Sequence, residues 1–288
     1  MAANPLVFDR ALLRRRLARA RTLGFESFLL DRIAAELSER LGAVLRQFDR
    51  AVDLGTPGEA VRDALAGSGA VGALVAAAPL VRAQPAVVAD EEALPFRDAS
   101  LDLVVSALTL QLVNDLPGTL AQVRRALKPD GLFLAAMLGG DTLTELRQSF
   151  AAAEAEIEGG ISPRVAPFAD VREMGALLQR AGLALPVTDI ERITVRYASP
   201  FRLMSDLRRM GATNALTERR RMPLRRATLN RMAEIYAQRF ADADGKIRAS
   251  FEIIWLSGWA PHESQQKPLR PGSAKASMED AVRKAGKT

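Results

Sequence analysis

The sequence predicts an α/β protein whose core is a mostly parallel β-sheet. Between residues 51 and 140, short apolar runs alternate with helical segments, which is the pattern of consecutive βαβ units. The run 101–108 is apolar almost throughout, as expected for a central strand buried on both faces. Of the 288 residues, 48% are hydrophobic, which is enough for a substantial core. Ligands of such sheets bind beyond the carboxyl ends of the strands, so the residues that follow each strand are candidates for a site.

The composition excludes several kinds of active site. The chain has no cysteine and therefore no disulfide, thiolate nucleophile or thiolate metal ligand. Its one histidine, His262, rules out a self-contained iron site of two histidines and a carboxylate, and no G-x-S-x-G nucleophile elbow is present. We therefore predict no metal site. The net charge of +6 comes from arginines spread along the chain without interleaved aromatic residues, which does not indicate specific nucleic-acid binding.

The hydrophobic pattern also bears on location. No apolar run approaches the ~18 to 20 residues of a membrane span, and arginines from Arg10 onwards interrupt any signal-peptide core. We therefore expect a soluble, cytoplasmic protein, with peripheral association at the inner face of a membrane as a further option.

Three regions are predicted along the chain. An N-terminal helical extension covers 1–48, and an α/β domain covers 49–260 with a helical insertion at about 199–241. A tail rich in Gln, Ser, Pro, Gly and Lys covers 261–288 and should be flexible.

Hydrophobic periodicity gives the elements in order. The extension should hold an arginine-laden helix over 4–23 and an amphipathic helix over 25–46 that packs on the sheet. The first helix is either a solvated helix docked on the domain or an arm for an acidic or lipid partner. Strands are expected at 51–55, 70–76, 85–90, 101–108, 132–138, 185–197 and 247–259. Further helices are expected from Pro79 onwards, over 117–127, after Thr142, and over 170–181, 199–210 and 224–240.

Two turns have specific signatures. Thr56-Pro57-Gly58-Glu59 offers an N-cap threonine, a proline at the first helical position and a glutamate three residues after the cap, which together predict a capping box. Lys128-Pro129-Asp130-Gly131 predicts a turn in which proline fixes φ and glycine takes a left-handed conformation. The loop 158–163 should lie over the carboxyl-end face of the sheet.

Four motifs occur in an order and spacing that resemble the class I S-adenosylmethionine-dependent methyltransferases: Asp53-Leu54-Gly55, 89–96, 101–108 and 127–131. The resemblance implies a Rossmann-like, seven-stranded, mostly parallel sheet with helices on both faces, here with N-terminal helices and a C-terminal helical elaboration. In that family the first glycine turn approaches the cofactor's amino acid part, an acid ending the second strand holds the ribose, and residues after the third strand contact adenine. The resemblance therefore implies S-adenosyl-L-methionine as cofactor, with these binding residues: Asp53, Gly55, Gly58, Asp90, Glu91, Ala107 and Leu108.

A narrower resemblance extends over nearly the whole chain. The motifs that carry it are Val7-Phe8-Asp9-Arg10, 89–96, 112–117, 139–147, 158–163 and 258–265. They are similar to the methyltransferase-like assembly factors of respiratory complex I, which are described as arginine hydroxylases acting on an iron–sulfur subunit of the complex. The resemblance implies a bacterial member of that family and a complex I iron–sulfur subunit as partner. The malonyl-carrier-protein methyltransferases of biotin synthesis are a more distant resemblance, mainly over the central block.

The sequence departs from the methyltransferase pattern around the expected cofactor. Pro57 stands where a flexible glycine normally lets the cofactor approach the backbone, and Glu59 adds a negative charge. Residues 74–78 end in alanines where the ribose-binding acid is expected, a loss of about 1 to 3 kcal/mol of binding. We therefore expect S-adenosylmethionine to bind weakly or not at all. Pro57→Gly with Ala76→Asp should strengthen binding if the pocket is only eroded.

Three functions remain open from the sequence. They are an S-adenosylmethionine-binding enzyme that modifies a protein or carrier-bound substrate, the hydroxylase of the assembly factors, and a scaffold that has kept the fold and lost the cofactor. In methyl transfer the cationic sulfonium supplies the electrophile, so the protein mainly aligns the acceptor. No catalytic residue can be named. Candidates for the acceptor side are Gln111, Asn114, Asp141 and Arg147, although Asp141 before Thr142 also suits a helix cap.

Overall fold

The structure, a computed structural model, describes residues 6–83 and 85–266 and contains a seven-stranded sheet. Its strand order is β3-β2-β1-β4-β5-β7-β6, with β7 antiparallel to both neighbours and the other pairs parallel. The seven-stranded, mostly parallel sheet that we predicted is confirmed. The strands are β1 Phe48–Leu54, β2 Val71–Ala78, β3 Ala86–Val88, β4 Leu101–Ala107, β5 Leu127–Leu138, β6 Ala184–Tyr197 and β7 Ile247–Trp259.

Helices cover both faces of the sheet. They are α1 Arg10–Thr22, α2 Phe28–Gly42, α3 Ala60–Ala66, α4 Leu116–Ala126, α5 Thr144–Glu158, α6 Val171–Arg180, α7 Pro200–Arg209 and α8 Arg226–Phe240. On one face α2 and α3 bury residues such as Ile33 and Val61, and on the other α4 and α6 bury Leu120 and Leu178. α5, α7 and α8 form a third apolar cluster with the start of β7. None of the helices in the described ranges is long and apolar enough to cross a membrane.

The turn after β1 differs from the predicted capping box. α3 begins at Ala60, after an N-cap residue, Glu59, whose side chain makes no capping hydrogen bond. The backbone N–H of Ala107 donates instead to Thr56 Oγ1 at 3.0 Å, and the Glu59 carboxylate is bound by Arg82. The capping prediction is therefore wrong, because these polar side chains make contacts with other segments and leave the helix end uncapped.

Two further local predictions are wrong. Residues 79–83 form an irregular loop between β2 and β3, not a helix. The segment Lys128–Gly131 lies inside β5, and the left-handed residue is Asp130, with φ 65°, not Gly131. Aspartate tolerates this conformation better than most residues, and Arg46 donates to its carbonyl oxygen at 3.0 Å and to its carboxylate. The predicted flexible tail lies mostly beyond residue 266, outside the described residues.

Candidate functional site

The chain turns sharply at the carboxyl end of β1, beside the end of β4. Gly55 takes a left-handed conformation with φ 73°, which glycine adopts at little cost. The Thr109 hydroxyl donates to its carbonyl oxygen at 2.8 Å. A Cβ atom at Gly55 would lie 2.5 Å from Thr109 Cγ2 and 2.7 Å from Glu91 Oε1. The space against this glycine is therefore taken by side chains of the chain itself.

Asp53, near the end of β1, is fully buried and forms an ion pair with Arg82. Arg82 Nη1 lies 3.0 Å from Asp53 Oδ2 and also donates to the Thr56 carbonyl oxygen at 2.9 Å. Burial raises the pKa of Asp53 to about 6, although the nearby guanidinium acts in the opposite direction. The carboxylate that the resemblance assigns to the cofactor's amino acid part is thus bound by a cation of the same chain.

The acidic residues after β3 are also paired with arginines, in this case from α1. Arg10 donates to Asp90 Oδ1 at 3.0 Å and to the buried Glu91 carboxylate, and Arg14 donates to Asp90. Burial acts to raise the pKa of Asp90, but the Glu92 N–H and the two arginines outweigh it, so the pKa lies below its ordinary value. α1 therefore covers the part of the crevice where the resemblance places adenine.

The segment before α1 fixes this cover to the body of the protein. The Phe8 N–H donates to Asn114 Oδ1 at 2.8 Å, and Asn114 Nδ2 donates back to the Phe8 carbonyl oxygen at 3.2 Å. Asp9 caps α1 by accepting the Leu12 N–H at 2.9 Å, and its own N–H donates to the Ala215 carbonyl oxygen at 2.8 Å. Asn114, predicted on the acceptor side, thus serves in the structure to hold the cover.

A cavity of about 310 Å³ lies behind α1, at the carboxyl edge of the sheet. Most of its lining is apolar, as is usual for a pocket that receives a side chain or a small organic ligand. The loop 158–163 was predicted to lie over this face, but none of its residues lines the cavity, whose lining includes Phe150 and then Arg164. The lining includes Gly55, Glu91, Leu108 and Gln111 from loops that follow strands, and Val165, Phe168, Met204 and Met210 from the segment after α5 and from α7 and its C-terminal end.

Two of the predicted residues lie at the end of β4, beside this cavity. Leu108 has a positive φ of 53° and lines the cavity with Gln111. Gln111 Nε2 donates to the Leu108 carbonyl oxygen at 2.8 Å. Ala107, the last residue of β4, is buried directly before Leu108. The structure therefore places Leu108 and Gln111 in the cavity lining, and the roles expected of all three residues stay predictions.

Three other predicted residues make contacts elsewhere. The Gly58 carbonyl oxygen accepts a hydrogen bond from Arg82. Asp141 is exposed and pairs with Arg192 at 2.9 Å, while Arg147 donates to the carbonyl oxygens of Gly140 and Thr142 at 3.2 and 3.4 Å. Neither Asp141 nor Arg147 lines the cavity.

Arg82, which makes five hydrogen bonds within the site, was not predicted from the sequence. Two features of the sequence could have indicated it. β2 ends in alanines where an acid was expected, and Arg82 follows four residues after the strand. Compared with the methyltransferase pattern, this segment lacks an acid and has an arginine nearby. The difference indicates that the ion pairs at this end of the crevice are not those of the pattern. Within 6–83 and 85–266, no group of three or more metal-ligating side chains is placed to hold a metal ion.

The fold and this crevice define a class I methyltransferase-type protein. A family model described as a methyltransferase domain matches residues 59–135. A crystal structure of a methyltransferase candidate from Bacillus halodurans C-125 is 17% identical and covers 80% of this chain and 99% of that one, with a TM-score of 0.52. At this identity the similarity shows the fold alone.

Sequence relatives define the family more narrowly. Arginine-hydroxylase NDUFAF5 of Danio rerio is 38% identical over 294 residues, which cover 98% of this chain and 91% of that protein. The chain belongs to the NDUFAF5 arginine-hydroxylase family. A malonyl-[acyl-carrier protein] O-methyltransferase of Xylella fastidiosa is 41% identical over 172 residues, covering 60% of this chain and 56% of that protein.

S-adenosylmethionine, the cofactor expected of this fold, does not fit the crevice as the structure has it. Asp53 is bound by Arg82. After β3, Arg10 binds Asp90 and Glu91, and Arg14 also binds Asp90. Ala78, and not Ala76, is the last residue of β2, and it lines a second cavity of about 240 Å³ whose one acid, Glu59, is bound by Arg82. We therefore derive no chemistry through this cofactor.

Proposed function

We propose that this protein is an assembly factor of respiratory complex I that hydroxylates an arginine side chain of a partner, an iron–sulfur subunit of the complex. The observation that carries the proposal is the similarity to an arginine-hydroxylase over 98% of this chain, well beyond the methyltransferase core. A cytoplasmic location at the inner face of a membrane belongs to the same proposal.

The cavity supports a protein side chain as the ligand. Its apolar walls suit the aliphatic stem of arginine, and two carboxylates, Glu26 and Glu91, reach its lining. Both already pair with arginines of this chain, Arg209 at 2.8 Å and Arg10. The lining therefore has carboxylates of the kind that bind a guanidinium group.

The proposed reaction inserts one atom of dioxygen into a C–H bond of the substrate arginine. The second oxygen atom leaves as water, with two electrons and two protons from an external reductant. The chain has no cysteine and one histidine, so we assign the activation of oxygen to a bound redox group or a partner protein. The residues of this chain would bind and orient the arginine and exclude water.

A non-catalytic scaffold is the second candidate. The Asp53–Arg82 pair favours it, because a crevice that is satisfied by its own side chains gives up the groups that would hold a cofactor. A methyl transfer to a carrier-bound acid rests on the partial similarity to the Xylella fastidiosa enzyme and requires S-adenosylmethionine in this crevice.

A deletion strain complemented with variants separates these functions. Complex I activity would be measured in membranes, and the iron–sulfur subunit would be examined by tandem mass spectrometry for an arginine carrying one added oxygen atom. The wild-type chain should restore both, whereas Gln111→Ala in the cavity should lower hydroxylation and Gln148→Ala on the exposed face of α5 should not. Recovery of complex I without the added oxygen would favour the scaffold, and recovery of neither would overturn the assembly role.

A further inference from the structure

Arg82 has an unusually complete set of partners for a residue on a surface loop. Its side chain is fully buried. It donates to one Asp53 oxygen at 3.0 Å, to the Thr56 carbonyl oxygen at 2.9 Å and to the two Glu59 oxygens at 3.2 and 3.1 Å. The Gly58 carbonyl oxygen accepts a further bond. The turn 53–59 is therefore wrapped around a single planar cation.

One carboxylate oxygen in the turn 53–59 accepts no hydrogen bond from Arg82. Asp53 Oδ1 is buried and has no hydrogen-bond partner of normal geometry among the described residues, although the Thr56 hydroxyl lies close enough to counter in part the rise that burial causes in the pKa of Asp53. A buried carboxylate oxygen without a donor is costly, so its retention indicates a site with more acceptor capacity than Arg82 uses. Backbone carbonyl oxygens and two carboxylates together favour a cation with several N–H donors.

The loop that carries Arg82 is held on both sides of that residue. Arg21 donates to the Val81 carbonyl oxygen at 2.6 Å. Arg62 donates to the carbonyl oxygens of Ala83 and Pro85 at 2.7 and 3.0 Å. These bonds order the backbone around Arg82 and so reduce the conformational entropy lost when its long side chain enters the slot.

We propose that the turn 53–59 is a binding slot for an organic cation, a guanidinium or primary ammonium group, and that Arg82 fills it as a built-in ligand. The resemblance places the amino acid part of S-adenosylmethionine, which carries an ammonium group, at this turn. In this chain Arg82 supplies the cation instead, so the turn is ordered without an external ligand. The inference goes beyond the proposed function, because it holds whether or not the protein modifies arginine.

Chemical rescue of Arg82→Ala tests the slot directly. The variant leaves two carboxylates facing a guanidinium-sized space, and we expect its Tm to fall by about 10 °C. Methylguanidinium chloride at millimolar concentration should restore at least half of that loss in a saturable manner. Sodium chloride at equal ionic strength and urea, which is planar but neutral, should not. Arg97→Ala, an exposed arginine, is the matched control and should show neither the loss nor the rescue.

A second readout covers the case in which Arg82→Ala does not fold. The variant would then be refolded from denaturant with and without methylguanidinium chloride, and recovery of folded protein should require the cation. Arg82→Lys, which keeps a cation in the slot, should fold without rescue. Equal effects of methylguanidinium on wild type, Arg82→Ala and Arg97→Ala, or no effect on any of them, would overturn the proposal. None of these readouts uses hydroxylation or complex I, so the two proposals fail separately.

Discussion

Arg82 Nη1 lies 3.0 Å from Asp53 Oδ2, and the two side chains are 0% and 1% exposed. The pair joins the loop after β2 to the turn after β1, the two places where the resemblance puts the ribose and amino acid parts of a methyl donor. Removing one partner of such a pair typically costs about 3–5 kcal/mol, because the other charge stays buried. The crevice is therefore held together by an internal contact at the point where a cofactor would otherwise do so.

The buried pair makes stability depend on pH in a defined direction. Burial raises the pKa of Asp53 to about 6, so between its unfolded and folded pKa values the native state binds more protons than the unfolded state. The stabilising contribution of Asp53 is fully present below about pH 4 and is lost as the pH rises through about 6. The free energy of unfolding of wild type minus that of Asp53→Asn should therefore fall over this interval. Urea unfolding across a pH series measures it, and a difference that rises would contradict the assignment.

Removal of the guanidinium should change that titration. Arg82 lowers the pKa of Asp53 against the effect of burial, so in a folded Arg82→Ala protein the pKa of Asp53 should rise further. Carboxyl-detected NMR titration of both proteins reports it. An unchanged or lower pKa in the variant would show that the carboxylate does not sense Arg82.

The cover over the crevice depends on Arg10. Arg10→Ala leaves the buried Glu91 carboxylate without its cation and should destabilise the protein by about 2 kcal/mol. Arg15→Ala, on the exposed side of the same helix, should change stability by less than about 0.5 kcal/mol. Chemical denaturation of the two variants measures the difference, and equal effects would mean that the Arg10 pair contributes nothing beyond helix propensity.

Gly55 is required for two reasons, and a second glycine separates them. Gly55→Ala combines the strain of a positive φ with a Cβ atom placed 2.5 Å from Thr109 Cγ2, so we expect a loss of about 3 kcal/mol or more. Gly159→Ala carries the same φ strain, at 71°, with no atom within 4 Å of the new Cβ, and should cost about 1 kcal/mol. Their difference isolates the packing of the turn. Equal losses in denaturation experiments would argue that Thr109 and Glu91 move aside freely.

The sheet was predictable from the sequence because its signal is local and repeated. The strand of 101–108 and the final strand of 247–259 were placed almost to the residue, since both are rich in apolar residues and contain few polar ones. The Thr56–Glu59 turn was predicted wrongly because a capping box and a cation slot use the same side chains, and only tertiary contacts decide between them. Asp130 likewise takes the left-handed position because Arg46, far away in sequence, binds it.

The positions of the site residues at strand ends were predictable from the sequence, but the role of Arg82 was not. Asp53 lies near the end of a strand, and Gly55, Glu91 and Gln111 follow strands, so topology alone places all four at the same edge of the sheet. Arg82 follows a strand as well, but nothing in the local pattern states that its side chain turns inward. That orientation depends on the charge of Asp53 and Glu59 and on arginines that hold its loop. Long-range ion pairs of this kind leave no periodic signal in a single sequence.

Isothermal titration calorimetry of the wild-type protein with S-adenosylmethionine tests the central claim, that Arg82 and the α1 arginines take the place of the cofactor. S-adenosylhomocysteine, which retains the ammonium and adenine groups, is the control ligand, and Arg82→Ala is titrated alongside. We predict no heat of binding to wild type at millimolar ligand and measurable binding to a folded Arg82→Ala protein. Micromolar binding to wild type, about −8 kcal/mol, would contradict this claim and would show that the crevice binds the cofactor.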